Sequence, residues 1–358
     1  MMHAASDHIK GLQTRVDLKT KNLRDELSNT NGKHQMLDLG PDGLTCPLEP
    51  SMKLYGVDPK QSRIFKSSVQ PMQLMFKVRN FSMDADEREN EPLPELEEYG
   101  IIFKNGDDLR QDQLVLLMIR IMDTLLKEIN LDFKFTQYKC IAASTQIGFM
   151  EFVTPSIPVR AALAESGKNL ATYLTRLSDA PDKRNEIFQN YLLSCAGYAV
   201  ATYLLAVGDR HLENLMVQKK DGRMWHLDFG YILGKEPAGK GGFVSPIRIN
   251  KAMVQGLGGM DSEGYREFVQ KTIDAFLYLR NYRNTILNLF VLMIDSSLDN
   301  LPVAEYDAIL TKLNKRFLPD LSNEQARKTF EMIIHESVNS TGDEFIELVN
   351  RFSVWLRY

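Results

Sequence analysis

Apolar residues follow two rhythms along the chain, and the change between them divides it. Between residues 46 and 79 the apolar runs are short: Met52–Tyr55, Arg63–Phe65 and Leu74–Val78, broken by proline and glycine. Such runs predict strands, and a further strand is predicted at Tyr99–Lys104. From Asp107 to Ile129 the period becomes helical, because Leu114, Leu117, Met118, Ile121 and Leu125 fall on one face at 3.6-residue spacing. Strand patterns return at Phe135–Ala142 and Phe149–Val153. Beyond residue 160 helical patterns dominate. The exceptions are two short strands near Leu215–Gln218 and Met224–Asp228, joined by the turn-forming Lys220-Asp221-Gly222-Arg223. The order predicts an α+β protein with a strand-rich N-terminal lobe, a helical C-terminal lobe and a ligand cleft between them.

Three segments stand apart from this pattern. Residues 1–45 are polar, with helical potential near Asp7–Leu27, and are expected to be a linker or a packing helix. The N-lobe is expected over 46–153, with an acidic, proline-containing insertion at 81–98 that predicts an exposed hairpin. The C-lobe is expected over 154–358. Its last segment, Gly342–Tyr358, sets Phe345, Leu348, Val349, Phe352 and Leu356 on one helical face beside Trp355. That face suits either the protein core or a bilayer surface.

Composition narrows the reading. Hydrophobic residues make up 44% of 358, enough to bury a sizeable core. The formal net charge is −4, so charge gives no support to nucleic-acid binding. Cys46, Cys140 and Cys195 are far apart and form no Cys-x-x-Cys pair, which argues against a zinc site or a disulfide framework. Tyr191–Val207 is apolar, but it runs straight into Gly208-Asp209-Arg210-His211 and predicts a buried helix rather than a membrane span.

The candidate chemistry lies in two blocks, Gly208-Asp209-Arg210-His211-Leu212-Glu213-Asn214 and His226-Leu227-Asp228-Phe229-Gly230. Phosphoryl transfer asks a protein for a cation held on the phosphates, positive charge near the developing anion, and a group that takes the nucleophile's proton. Asn214 and Asp228 offer hard oxygen ligands for Mg²⁺, or for Mn²⁺. His211 suits a general base, with Asp209 orienting the loop and Arg210 anchoring it or offsetting charge.

These blocks resemble those of the phosphatidylinositol 3-/4-kinase superfamily. Protein kinases place His and Arg before the loop Asp, whereas this chain has Asp-Arg-His, the order of the lipid kinases. Four other segments fit the same resemblance: Cys46-Pro47-Leu48-Glu49-Pro50, Phe103-Lys104-Asn105-Gly106-Asp107-Asp108-Leu109-Arg110-Gln111-Asp112, Ser194–Tyr198 and Asn288–Phe290. The combination is most similar to class III phosphatidylinositol 3-kinases, of the vacuolar protein sorting type.

The resemblance implies a bilobal protein-kinase-like fold with ATP in its cleft. It implies Lys104 on the α-phosphate, Ser68 in the loop that covers the phosphates, and Asp112 with Tyr138 in the inner nucleotide pocket. Backbone groups of Glu151 and Val153 would meet the adenine edge. Lys235, Lys240 and Arg248 of the segment after Asp228 would face the inositol headgroup, and so sparse a basic content favours unphosphorylated phosphatidylinositol. Phe352 and Trp355 would touch the membrane. Regulatory protein subunits, a role in endosomal trafficking and autophagy, and a cytoplasmic location peripheral to those membranes are expected by the same resemblance. Two positions depart from class III: Glu213 where Asp is usual, and Gly239, Gly241 and Gly242 in place of a proline-rich run. The alternatives are a phosphatidylinositol 4-kinase, against which Gln111-Asp112 argues, and a pseudokinase scaffold, which loss of Lys104, His211, Asn214 or Asp228 would mark.

Overall fold

A computed structural model describes residues 1–11, 15–29, 36–67, 69–81, 94–234, 237, 246–294 and 306–339. The chain forms two compact units. The first comprises Met1–Gln113 and Tyr138–Thr154, the second Leu114–Gln137 and Pro155–Tyr358.

The first unit opens with two helices, α1 (Met2–Gly11) and α2 (Val16–Ser28), where the sequence suggested one. They lead to β1 (Leu44–Thr45), β2 (Met52–Ile64), β3 (Met72–Asn80) and β4 (Glu97–Asn105). Helix α3 (Arg110–Lys127) begins in this unit, and β5 (Cys140–Ala142) and β6 (Ile147–Glu151) complete it. The six strands form one antiparallel sheet in the order β1-β2-β3-β4-β6-β5. Two of the expected strands, Met52–Tyr55 and Arg63–Phe65, are parts of the single 13-residue β2. Its register against β3 slips between Leu54 and Gly56 and again between Asp58 and Arg63. Pro59 lies within the second slip, and a bulge is one of the few places where a strand tolerates proline.

Residues 1–28 are part of this unit's packing. Ala5, Ile9, Leu23 and Leu27 share a core with Leu54, Leu74, Phe76 and Phe103 of the sheet. The helices also hold the sheet by polar contacts. Arg24 Nε donates to the Ser62 carbonyl at 2.9 Å, and Thr20 Oγ1 accepts the Ile64 N–H at 3.2 Å. The buried ammonium of Lys19 donates to the Lys10 carbonyl at 3.1 Å and to Gln70 Oε1 at 2.9 Å. Lys19 thereby places positive charge at the C-terminal end of α1, where the exposed carbonyls favour a cation.

The second unit carries the rest of α3, a three-stranded sheet and most of the helices. Its sheet runs β7 (Ser156–Pro158), β8 (Leu215–Gln218), β9 (Met224–His226), all antiparallel. Helices α4 (Val159–Glu165), α5 (Leu170–Thr175) and α6 (Pro181–Leu204) lie between β7 and β8. Helices α7 (Lys251–Gly256), α8 (Glu263–Arg280), α9 (Arg283–Ile294), α10 (Tyr306–Arg316) and α11 (Asn323–Asn339) follow β9. Pro181 at the start of α6 supplies a preset helical φ.

From Tyr191 onward α6 is buried at nearly every position, which is the buried helix predicted for that apolar stretch. Among the described residues no helix is long and apolar enough to cross a membrane. Tyr203 of α6 packs edge-on to Phe276 of α8 and tilts onto Phe330 of α11. Phe276 and Phe330 stack with their centroids 3.9 Å apart. Such ring pairs add about 0.5–1.5 kcal/mol each beyond the area they bury.

Candidate active site

In the second unit the end of α6 becomes a loop whose backbone is held in an uncommon conformation. Ala206 and Asp209 have φ of 48° and 47°, and Asp228, on the segment after β9, has 63°. Non-glycine residues in this region cost on the order of 1–3 kcal/mol each and persist only where their surroundings fix them. The positive φ of Asp228 also explains why β9 stops at His226 rather than continuing to Asp228 as the apolar pattern predicted.

The two segments fix each other. The Gly208 N–H donates to the Tyr231 carbonyl at 2.8 Å, Leu233 N–H to Leu205 at 3.2 Å, and Gly234 N–H to Ala206 at 3.0 Å. Arg210 clamps both, donating Nε to the Gly208 carbonyl at 2.7 Å, Nη1 to Leu227 at 2.9 Å and Nη2 to the Asp228 carbonyl. Its guanidinium carbon also lies 5.4 Å from the centre of the fully buried Phe229 ring. His226, just before this segment, is fully buried and stacked 4.6 Å from the Tyr198 ring. Burial, with the Arg210 charge adding to it, pushes the His226 imidazole well below the usual histidine range.

Asn214 and Asp228 sit at the open end of the β8–β9 hairpin. Leu215 pairs with His226 in the ladder, and the Leu227 N–H donates to the Asn214 carbonyl at 3.1 Å. Asn214 Nδ2 donates to the Asp209 carbonyl at 3.0 Å, which leaves Oδ1 as its available oxygen. Asp228 Oδ1 accepts the Gly230 N–H at 3.2 Å. Glycine suits position 230, because an added Cβ would come within 3.3 Å of that carboxylate oxygen. The pair forms a hard, oxygen-only donor set that fits Mg²⁺ or Mn²⁺. Among the described residues no group of three His, Cys, Asp or Glu side chains could hold a metal.

His211 is half exposed, with Nε2 3.8 Å from Asp209 Oδ2. Its Nδ1 accepts the Glu213 N–H at 3.2 Å. A neutral imidazole in this rotamer carries its proton on Nε2 and its lone pair on Nδ1, facing Glu213. To accept a proton, His211 must give up that single backbone bond, which is worth about 1 kcal/mol. Glu213 itself turns to Arg160, at 2.8 Å.

The first unit holds the other sequence-predicted residues. Lys104 pairs with Gly148 between β4 and β6, and its ammonium lies 2.8 Å from Asp107 Oδ2. A Cβ on Gly148 would come within 2.5 Å of the Leu109 side chain, so close packing beside Lys104 requires glycine there. Asp112 and Tyr138 are buried, and Cys140 is 9% exposed. Burial, then the charge of Asp112, raises the Cys140 thiol far above its ordinary range, while Lys104 pulls it the other way. These influences bring Lys104, Asp107, Asp112 and Cys140 into one electrostatic neighbourhood. The sequence reading missed Asp107, although an acid three residues past the lysine was the available signal. Glu151 is the last residue of β6, paired with Ile101, and Val153 lies two residues beyond.

Arg248 donates Nε to the Val207 carbonyl at 2.8 Å, which anchors it at the entrance to the Asp209 loop. Ser68, Lys235, Lys240, Phe352 and Trp355 lie outside the described residues, as does most of the 81–98 insertion. Around Ser68, the Phe65 N–H donates to the Pro71 carbonyl at 3.0 Å and the Gln70 N–H to Ser67 at 3.2 Å.

Comparison with known proteins places these features. The chain is 38% identical over 336 residues to "Phosphatidylinositol 3-kinase pik3" of Schizosaccharomyces pombe, with 91% of this chain and 39% of the relative covered. It is 38% identical over 334 residues to "Phosphatidylinositol 3-kinase catalytic subunit type 3" of Caenorhabditis elegans, covering 90% and 35%. With "Phosphatidylinositol 3-kinase VPS34" of Saccharomyces cerevisiae it shares 36% over 303 residues, covering 83% and 32%. The chain thus spans less than half the length of each of these relatives. The family description "Phosphatidylinositol 3- and 4-kinase" matches residues 98–302, a stretch that contains Lys104, Asp112, the Asp209 loop and Asp228. With more than half of its length matched, the chain belongs to the phosphatidylinositol 3- and 4-kinase family.

Proposed function

We propose that this chain is the catalytic region of a class III phosphatidylinositol 3-kinase, transferring the γ-phosphate of ATP to the 3-hydroxyl of phosphatidylinositol. The observation that carries the reading is the hairpin end where Asn214 and Asp228 stand together, tied by Arg210 and by the Asp209 carbonyl to the loop that presents His211. The relatives named above, all phosphatidylinositol 3-kinases, support the same activity.

In this reading Asn214 Oδ1 and the Asp228 carboxylate would hold a divalent cation, Mg²⁺ or Mn²⁺, which would supply positive charge against the nucleotide's phosphates. Lys104 leaves Asp107 for the nucleotide's phosphates, acting as a compact point charge. The inositol 3-oxygen attacks the γ-phosphorus, its proton passes to His211, and the bond to the β–γ bridging oxygen breaks as ADP departs with the electron pair. Asp209, whose Oδ2 lies 3.8 Å from His211 Nε2, orients the loop that carries it. At the base, the Glu151 carbonyl and the Val153 N–H meet the adenine edge, with Asp112 and Tyr138 deeper in the pocket. Ser68 covers the phosphates. Lys235, Lys240 and Arg248 approach the headgroup, Phe352 and Trp355 the bilayer. The product, phosphatidylinositol 3-phosphate, would serve endosomal trafficking and autophagy on cytoplasmic membrane surfaces, with regulatory subunits bound to the full-length protein.

The deciding experiment is a product-regioisomer assay on phosphatidylinositol with ATP. Phosphate on the 3-position is expected, with at most weak turnover of the 4,5-bisphosphate. A 4-phosphate product would assign the chain to the other branch of its family, and comparable kcat/KM on both lipids would remove the class III reading.

A further inference from the structure

The expected strand Phe135–Ala142 is far shorter in the structure, and its boundary at Lys139 is set by Glu151. Register Cys140↔Met150 places Lys139 opposite Glu151. The Glu151 N–H donates to the Lys139 carbonyl at 2.8 Å, one half of an antiparallel pair. The other half would run from the Lys139 N–H to the Glu151 carbonyl. Instead, the Lys139 N–H donates to Glu151 Oε2 at 3.0 Å. β5 therefore starts one residue later, at Cys140.

On the opposite edge the Phe152 N–H donates to the Gly100 carbonyl at 2.9 Å. Gly100 and Phe152 are thus a hydrogen-bonded pair. By the alternation of antiparallel ladders, the neighbouring pair Ile101↔Glu151 is not one. The Glu151 carbonyl is left out of both ladders.

We infer that the Glu151 carboxylate is a positioning residue for the nucleotide base: by capturing the Lys139 N–H, it keeps its own backbone carbonyl unpaired and able to accept a hydrogen bond from the 6-amino group of adenine. The inference rests on the reading that Glu151–Val153 faces the base, and it gives the side chain a purpose that the sequence alone did not suggest. Lys139 is itself held for this exchange. Its ammonium is ion-paired with Glu49 Oε2, and Glu49 Oε1 accepts the Ser51 hydroxyl at 2.8 Å. The Cys46–Pro50 segment, unused by the reaction, thereby acquires a function as the far anchor of this arrangement. Without the carboxylate, the Lys139 N–H is left with the Glu151 carbonyl as its natural ladder partner, and a carbonyl engaged in the sheet is a poorer acceptor for a ligand.

The test is nucleotide affinity, measured on Glu151→Ala and Glu151→Gln with ATP and with purine riboside 5′-triphosphate, which lacks the 6-amino group. Binding rather than turnover keeps the result independent of the lipid substrate. The unaltered chain should prefer ATP by about 3- to 10-fold, the worth of one such hydrogen bond. Glu151→Ala should lose that preference by weakening ATP alone. Glu151→Gln retains an acceptor for the Lys139 N–H and should keep the preference. The inference is overturned if Glu151→Ala keeps the preference, if Glu151→Gln loses as much as alanine does, or if alanine weakens both nucleotides equally alongside a fall in melting temperature. If the unaltered chain shows no preference, the assignment of Glu151–Val153 to the adenine edge falls first, and this inference falls with it.

Discussion

The two units hold their functional groups by opposite means. In the first, Lys104 and Glu151 stand on β4 and β6 of a regular antiparallel sheet, and the ladder itself sets where they point. In the second, Asp209 and Asp228 lie on irregular backbone with positive φ, and a single side chain, Arg210, bonds three carbonyls to keep the two segments together. A sheet position such as Lys104 survives loss of its side chain because backbone bonds carry the geometry, although at Glu151 the carboxylate itself takes one ladder bond. A strained loop does not, because the side chain is part of what fixes the backbone.

Substitutions separate these modes, and the largest effect is expected at Asp228. Asp228→Ala removes the only carboxylate of the Asn214–Asp228 pair, so lipid phosphorylation should fall on the order of 10³-fold or more, with the fold retained by circular dichroism. Asn214→Ala, which removes a neutral oxygen, should cost less, and near-normal turnover in the Asp228 variant would strike it from the ligand set. Next comes His211→Ala, expected to slow lipid phosphorylation by about 10²–10⁴-fold with ATP affinity nearly unchanged. Undiminished turnover would pass the role of base to Asp209.

Lys104→Ala tests the sheet-held unit. Loss of a charge-assisted contact should weaken ATP by roughly 10- to 100-fold while the melting temperature stays within a degree or two of the parent, because the β4–β6 ladder remains. A large drop in stability would erase the contrast between the units. The smallest change in chemistry is Arg210→Lys, which keeps the charge and surrenders the fork. It should lower unfolding free energy by about 2 kcal/mol in denaturant titration and reduce kcat more than it raises KM for ATP. An unaffected kcat would mean that the Gly208, Leu227 and Asp228 carbonyls hold their geometry without it.

Much of this was legible in the chain. The helical period at Leu114–Leu125 anticipated α3, and the apolar run from Tyr191 anticipated the buried part of α6, because burial on one face or on all faces writes itself into spacing. The Asp-Arg-His and Asp-Phe-Gly blocks marked the two segments that Arg210 holds together. Less was legible where backbone conformation overrides side-chain pattern. β9 ends two residues early because Asp228 adopts a positive φ, and β5 begins at Cys140 rather than Lys139 because a Glu151 side-chain oxygen replaces a ladder carbonyl. Arg248, expected at the headgroup, also donates Nε to the Val207 carbonyl, an anchor that no linear pattern announced.

The sequence by itself determined the family, the division into strand-rich and helix-rich parts, and the residue types available for phosphoryl transfer, since composition, periodicity and short motifs are local properties of the chain. Only the tertiary structure decided that residues 1–28 complete the first unit's core, that Lys104 rests on Asp107, that His211 presents Nδ1 to Glu213, and which way the Lys139 N–H turns. Each of these is a choice between competing partners of similar strength, settled by distances of a few tenths of an ångström that no linear pattern encodes.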